Sequence, residues 1–105
     1  MQNAIEETVA QIIGQQLGGL NRVAIMTGAK NFVDHGNGLS FKFPNNAGKT
    51  RGNYVKITLN GLDLYDMEFQ YLRGFKNVVV ATETNLYNDM LISTFESQTG
   101  VYLRF

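Results

Sequence analysis

The chain has no cysteine and no tryptophan, and only one proline and one histidine among 105 residues. Without cysteine it can form no disulfide, carry no thiol nucleophile and build no thiolate metal site; that usage is compatible with a cytosolic setting. Net charge is also missing. Nine basic residues offset nine acidic ones, so no global electrostatic argument favours nucleic acid or a membrane surface. No stretch approaches the roughly 20 apolar residues of a membrane span. The start, MQNAIEETVAQIIG, carries Glu6 and Glu7 where a signal peptide has basic residues. A soluble, intracellular protein is expected.

What is present favours a folded core. Hydrophobic residues make up 44% of the chain and charged residues 17%, with seven Phe and five Tyr. That apolar content can offset the entropy of ordering one domain, and the length is too short for two. A single domain over residues 1–105 is expected.

Helix signals stand at both ends. Asn3 with Glu6 forms a loose capping box, and Ile5, Val9, Ile12, Ile13 and Leu17 follow at helical spacing. A helix is predicted over 4–17, stopped by Gly18-Gly19. Between the ends, strand patterns dominate. Arg22–Thr27 and Asn31–Val33 read as short strands, and DHGNG at 34–38 as the turn into GLSFKF, where Leu39, Phe41 and Phe43 alternate with polar residues. Pro44 marks that strand's end. NNAGKTRGN at 45–53 has no large apolar residue and reads as a hairpin loop. Tyr54–Leu59 alternates strictly, Asn60-Gly61 is a hairpin turn signal, and Leu62–Tyr71 resumes with Tyr65, Met67, Phe69 and Tyr71 on one face and Asp66, Glu68 and Gln70 on the other. After a turn at Arg73–Lys76, the VVVA run within Asn77–Thr82 suggests a central, covered strand. A last helix is predicted from about Asn85, with Tyr87, Met90, Leu91, Thr94, Phe95 and Gln98 as its stripe and Gly100 as its stop; VYLRF at 101–105 reads as a terminal strand. The fold class is α+β: an antiparallel sheet of about five strands with an N-terminal and a C-terminal helix packed on one face.

Few residues suggest chemistry. Ala47-Gly48-Lys49-Thr50 imitates a phosphate-binding loop, but the first glycine of that motif would fall at Phe43, and the segment lies between two strands instead of before a helix. A flexible loop is the favoured reading. Thr27-Gly28-Ala29-Lys30-Asn31-Phe32 lacks the glycine spacing of a dinucleotide site, so Gly28 is expected to serve a backbone conformation or a close packing position. His35 adjoins Asp34 but has no second metal ligand of its kind; an exposed turn residue is expected. Asp63, Asp66 and Glu68 could act as a carboxylate pair or bind a hard cation, yet a solvated sheet face explains them more simply. These residues give no catalytic, cofactor or metal assignment.

One charge asymmetry remains. From His35 to Leu62 the charged residues are Lys42, Lys49, Arg51 and Lys56, with no carboxylate among them. With Tyr54 these residues could form a basic, aromatic hairpin that binds single-stranded nucleic acid through phosphate contacts and stacking. The competing reading is a solubilising loop with lysines snorkelling along a sheet face.

The strings MTGAKNFV, GLSFKFPNNA, NYVKITLNGLDLYDMEF and ESQTGVYL, spread over most of the chain, resemble a group of small uncharacterised proteins of bacteriophages and related mobile elements. MTGAKNF, NYVKITLN and YDMEF carry most of the likeness. The group supplies no activity, cofactor or site residues to transfer. The resemblance implies a phage-type protein acting in the bacterial cytoplasm. It also makes a role in binding a host or phage protein plausible, inhibition included. The leading expectation is therefore a non-enzymatic interaction module, with single-stranded nucleic-acid binding as the alternative. Oligomeric state is left open by the sequence.

Overall fold

Local signals start the first helix later than the apolar spacing suggested. In a computed structural model, which describes residues 8–44 and 48–101, Thr8 is extended and caps helix α1 (Val9–Gln16). Its hydroxyl accepts from the Gln11 amide at 3.1 Å, and its own amide donates to Gln11 Oε1 at 2.8 Å. This reciprocal box satisfies two amides that a helix start leaves orphaned. A helix running unbroken from residue 4 is thereby ruled out; the predicted Asn3 cap lies outside the described residues.

Gly18 and Gly19 both take positive φ, 100° and 99°, a reversal that side chains with a Cβ resist. It leads into a second helix, α2 (Leu20–Thr27). This corrects the strand predicted over Arg22–Thr27. In a strand Val23 and Ile25 would share a face, but here Val23 and Thr27 are buried one turn apart while Ile25 is 82% exposed. The alternation was too short to separate the two periods.

The sheet is an antiparallel meander, β1 (Lys30–Asp34), β2 (Gly38–Lys42), β3 (Tyr54–Leu59), β4 (Tyr65–Arg73) and β5 (Lys76–Leu86), neighbouring one another in chain order. A short 3₁₀ turn (Asn88–Met90) then leads into α3 (Leu91–Thr99). The five strands and the two terminal helical regions match the α+β expectation, with α2 added. The predicted terminal strand beyond Val101 lies outside the described residues.

Register explains the core. Leu39 opposes Ile57, which opposes Met67; Phe41 opposes Val55, which opposes Phe69. All six are essentially inaccessible, as are Ile13, Leu17, Val23, Leu91 and Phe95 from the helices. Phe95 bridges the layers, its ring centroid 5.0 Å from Phe43 and 5.8 Å from Phe41. Such tilted aromatic pairs contribute about 0.5–1.5 kcal/mol beyond their buried area. The opposite sheet face carries Ser40, Lys42, Tyr54, Lys56, Thr58, Asp66, Glu68 and Gln70.

Two helix ends use one device. Thr27 Oγ1 donates to Val23 O at 2.6 Å and accepts from Ala29 N; Thr99 Oγ1 donates to Phe95 O at 2.7 Å and accepts from Val101 N. Between them Gly28 and Gly100 adopt left-handed conformations, φ 73° and 70°. Gly28 thus serves the backbone, as expected of the TGAKNF stretch.

The strand predicted to be central is an edge. β5 ends the sheet, and residues 76–79 are all exposed, which no covered strand permits. An uncharged apolar run cannot by itself distinguish a buried strand from a bare one. β5 also extends to Leu86, so Asn85, read as a helix start, belongs to a strand. Among the described residues no helix is long and apolar enough to cross a membrane.

Candidate functional site

The phosphate-loop lookalike is a helix cap. Lys49 N donates to Ser97 O at 3.2 Å and Thr50 N to Gln98 O at 3.0 Å, with Thr50 Oγ1 reaching the same Gln98 carbonyl at 3.1 Å. These carbonyls are the orphan acceptors at the C-terminal end of α3. The Lys49 and Thr50 amides are thus already engaged, and they face the negative end of a helix dipole, where an anion is repelled. Gly48 lies so close to this end that a Cβ there would sit 2.4 Å from Gly100 N. Lys49 edges a cleft of about 360 Å³ between β5 and α3, in which Gln98 Nε2 donates to Glu83 Oε2 at 2.8 Å.

His35 acquires a partner the sequence did not reveal. Its Nε2 lies 2.6 Å from Ser40 Oγ, a Ser–His pair across the β1–β2 turn. Ser40 is fully buried, whereas His35 is exposed. A nucleophile must reach substrate, and this hydroxyl is sealed beneath its would-be base. Asp34 does not orient the imidazole through its bonded oxygen; Oδ1 accepts from Gly36 N at 2.7 Å. The pair fastens the hairpin.

Asp63 stands off the strand, whereas Asp66 and Glu68 share the outer face of β4. Asp63 sits in the loop after β3 with φ 59°. Asp66 Oδ1 accepts from Asn60 Nδ2 and from Asn85 N, both at 3.0 Å. Glu68 stands opposite Lys56 in the ladder. Among the described residues no group of three His, Cys, Asp or Glu is arranged to hold a metal ion. Asn60 organises this corner: its Oδ1 also accepts from Leu62 N and Leu64 N, and its Nδ2 reaches Asn85 Oδ1 at 2.8 Å. Asn60-Gly61 therefore opens a five-residue loop, because β4 starts only at Tyr65.

The five basic-hairpin residues divide between the two faces. Lys42 stands opposite Tyr54, and Lys56 lies on the same outer face beside Ser40. Lys49 lies at the end of α3, and Arg51 stacks its guanidinium 5.0 Å over the Tyr71 ring, on the helix-side row of β4. Sequence reasoning missed Lys30, which faces Lys42 directly across β1–β2. Both line a hollow of about 340 Å³ with Gly28, Phe43, Pro44 and Asn53. Opposed like charges cost stability in a sheet, and neither ammonium has a partner among the described residues. The intervening turn residues and the bulge between Lys30 and Val33 hid this register from the sequence.

The longest exposed run among the described residues lies at the distal end of the β4–β5 ribbon. Residues 73–79 are exposed without interruption. Phe75 at the turn is fully exposed, and Val78 and Val79 are 46% and 51% exposed. Gly74 takes the positive φ, 60°, that a two-residue hairpin loop needs at its first position. Neither face of this end is covered by the helices. Comparison of the chain with protein-family profiles, curated proteins and solved structures finds no match.

Proposed function

We propose that the chain is a phage-type, non-catalytic module that binds a protein of the phage or its bacterial host through the distal β4–β5 ribbon. Phe75 is the observation that carries this reading: a whole aromatic side chain held in water at a two-residue turn. Aromatic anchors that fill a partner's pocket supply most of the energy in many interfaces. Blocking the partner's own contacts, and so inhibiting it, is one form of the function. Phe75→Asp leaves every core contact in place. Purified wild-type protein is expected to capture a defined partner from host lysate, and the variant to bind that partner at least about tenfold more weakly. Equal capture by both chains would remove the ribbon tip from the function.

A second reading rests on the Lys30–Lys42–Tyr54 row and its hollow. Two ammoniums without a partner among the described residues, beside an aromatic ring, suit a phosphodiester with a stacked base. It predicts salt-sensitive binding of single-stranded DNA or RNA that Lys30→Glu/Lys42→Glu abolishes and Lys49→Glu/Arg51→Glu spares. Binding unaffected by the first pair would refute it.

A further inference from the structure

We infer that two copies of this chain pair edge to edge through β5, antiparallel, about a two-fold axis between Val79 and Val80. The sheet has two edges of different character. β1 is only five residues long and carries Lys30 and Asp34 at its ends, features that discourage strand addition. β5 is 11 residues long, pairs only with β4 among the described residues, and has six consecutive uncharged residues, Asn77–Thr82. Lys76 precedes that run and Glu83 follows it.

A strand bracketed by opposite charges is complementary to itself when turned antiparallel. Centred on its uncharged run, β5 sets Lys76 against Glu83 of the second copy, Asn77 against Thr82, and Val78 against Ala81, each twice by symmetry. The side chains must also share faces, and here the bulge decides. Lys76 and Glu83 are seven positions apart in the chain (83 − 76), so a regular strand would point them to opposite faces. The register shift between Phe69 and Gln70 inserts one residue into β5. Lys76 therefore stands opposite Arg73 and Glu83 opposite Met67, both on the helix side. Val78 and Ala81 follow, opposite Tyr71 and Phe69; Asn77 and Thr82 fall together on the outer face, opposite Leu72 and Glu68. Only Val79 and Val80, at the axis, depart from the alternation. Glu83 uses Oε2 for Gln98, and no partner occupies its other oxygen among the described residues. Pairing would join two five-stranded sheets into one, with Thr84 of the second copy beside each Phe75 turn; it rests on the charges that bracket β5, so the inference does not depend on the partner proposed above.

The test is charge reversal read by sedimentation velocity over a range of concentrations. Wild type is expected to dimerise. Lys76→Glu alone and Glu83→Lys alone each place like charges opposite one another twice per dimer, and each should raise the dimer dissociation constant about tenfold or more. Mixing the two single variants should restore a dimer, because every opposed pair is again of unlike charge. A monomeric wild type, unaffected single variants, or no recovery on mixing would overturn the pairing. Should Glu83→Lys lose its folded circular dichroism spectrum, amide exchange of wild type decides. Protection at residues 77–82 rises with concentration if the edge is paired; exchange independent of concentration refutes it.

Discussion

Replacing Gly48 by alanine separates the helix-cap reading of the AGKT loop from a flexible-loop reading. Gly48 has no positive φ, so alanine is conformationally acceptable there. In an open loop the change would stabilise the protein by about 0.4–1 kcal/mol, through reduced freedom of the unfolded chain. The packed geometry gives the opposite sign. A Cβ at Gly48 would lie 2.4 Å from Gly100 N and Thr99 C and 2.5 Å from Gln98 O, all of them backbone atoms. The loop must lift off α3, and the three hydrogen bonds from Lys49 and Thr50 go with it. At about 0.5–1.5 kcal/mol each, their loss amounts to roughly 2–4 kcal/mol. That is a large share of the 5–15 kcal/mol typical of a domain. Urea denaturation should show a lowered midpoint at unchanged slope, and thermal melting a fall of about 10–25 °C. Amide exchange should rise first at Lys49 and Thr50. Gly61→Ala is the control: nothing lies within 4 Å of its Cβ position, so it should be neutral or mildly stabilising. If Gly48→Ala melts within the error of the control, the capping argument is wrong.

Two further stability effects follow from the same hydrogen-bond accounting. Thr99→Val keeps the shape of a buried side chain but strips the acceptor from Val101 N; chemical denaturation should register a loss of about 1–3 kcal/mol, and Thr99→Ser should recover most of it. Asn60→Ala removes the group that joins Leu62, Leu64, Asp66 and Asn85, and is expected to cost about 1–3 kcal/mol. A melting temperature equal to wild type would show that water replaces the asparagine without loss.

The strands β2, β3 and β4 were legible because alternation persists over several residues and one face is truly buried, as Leu39, Phe41, Val55, Ile57, Met67 and Phe69 attest. Three features misled. RVAIMT is short enough to fit either period, and only the paired positive-φ glycines before it, with Val23 and Thr27 stacked in the core, make it helical. VVVA reads as central, but apolar content is not burial: residues 76–79 are exposed. Tyr87 fits a helix stripe by spacing, yet it is exposed and precedes the 3₁₀ turn. A usable signal is present in the sequence: Thr-Gly followed by a small or branched apolar residue occurs at 27–29 and again at 99–101, at the ends of α2 and α3. Of the basic residues, the sequence could place Lys42 beside Tyr54 through hairpin pairing. It could not bring in Lys30, whose position depends on a bulge, or take Lys49 away to a helix that begins some forty residues later (91 − 49).

Asn53 has a consequence beyond its own bonds. Its side-chain amide imitates a peptide group, accepting from Leu72 N at 2.8 Å and donating to Leu72 O at 3.2 Å. This extends the ladder of β3 just past the place where its backbone turns away. Beyond Leu72 the described sheet is only two strands wide. Asn53 is therefore a border post between a domain that must be conserved in shape and an arm that need not be. Pairs of residues could be added to or removed from the arm, or its turn rewritten, without a single core side chain changing neighbours. If the arm binds a partner as proposed above, stability and recognition are encoded in separate stretches of one hairpin, and either can vary while the other stands still.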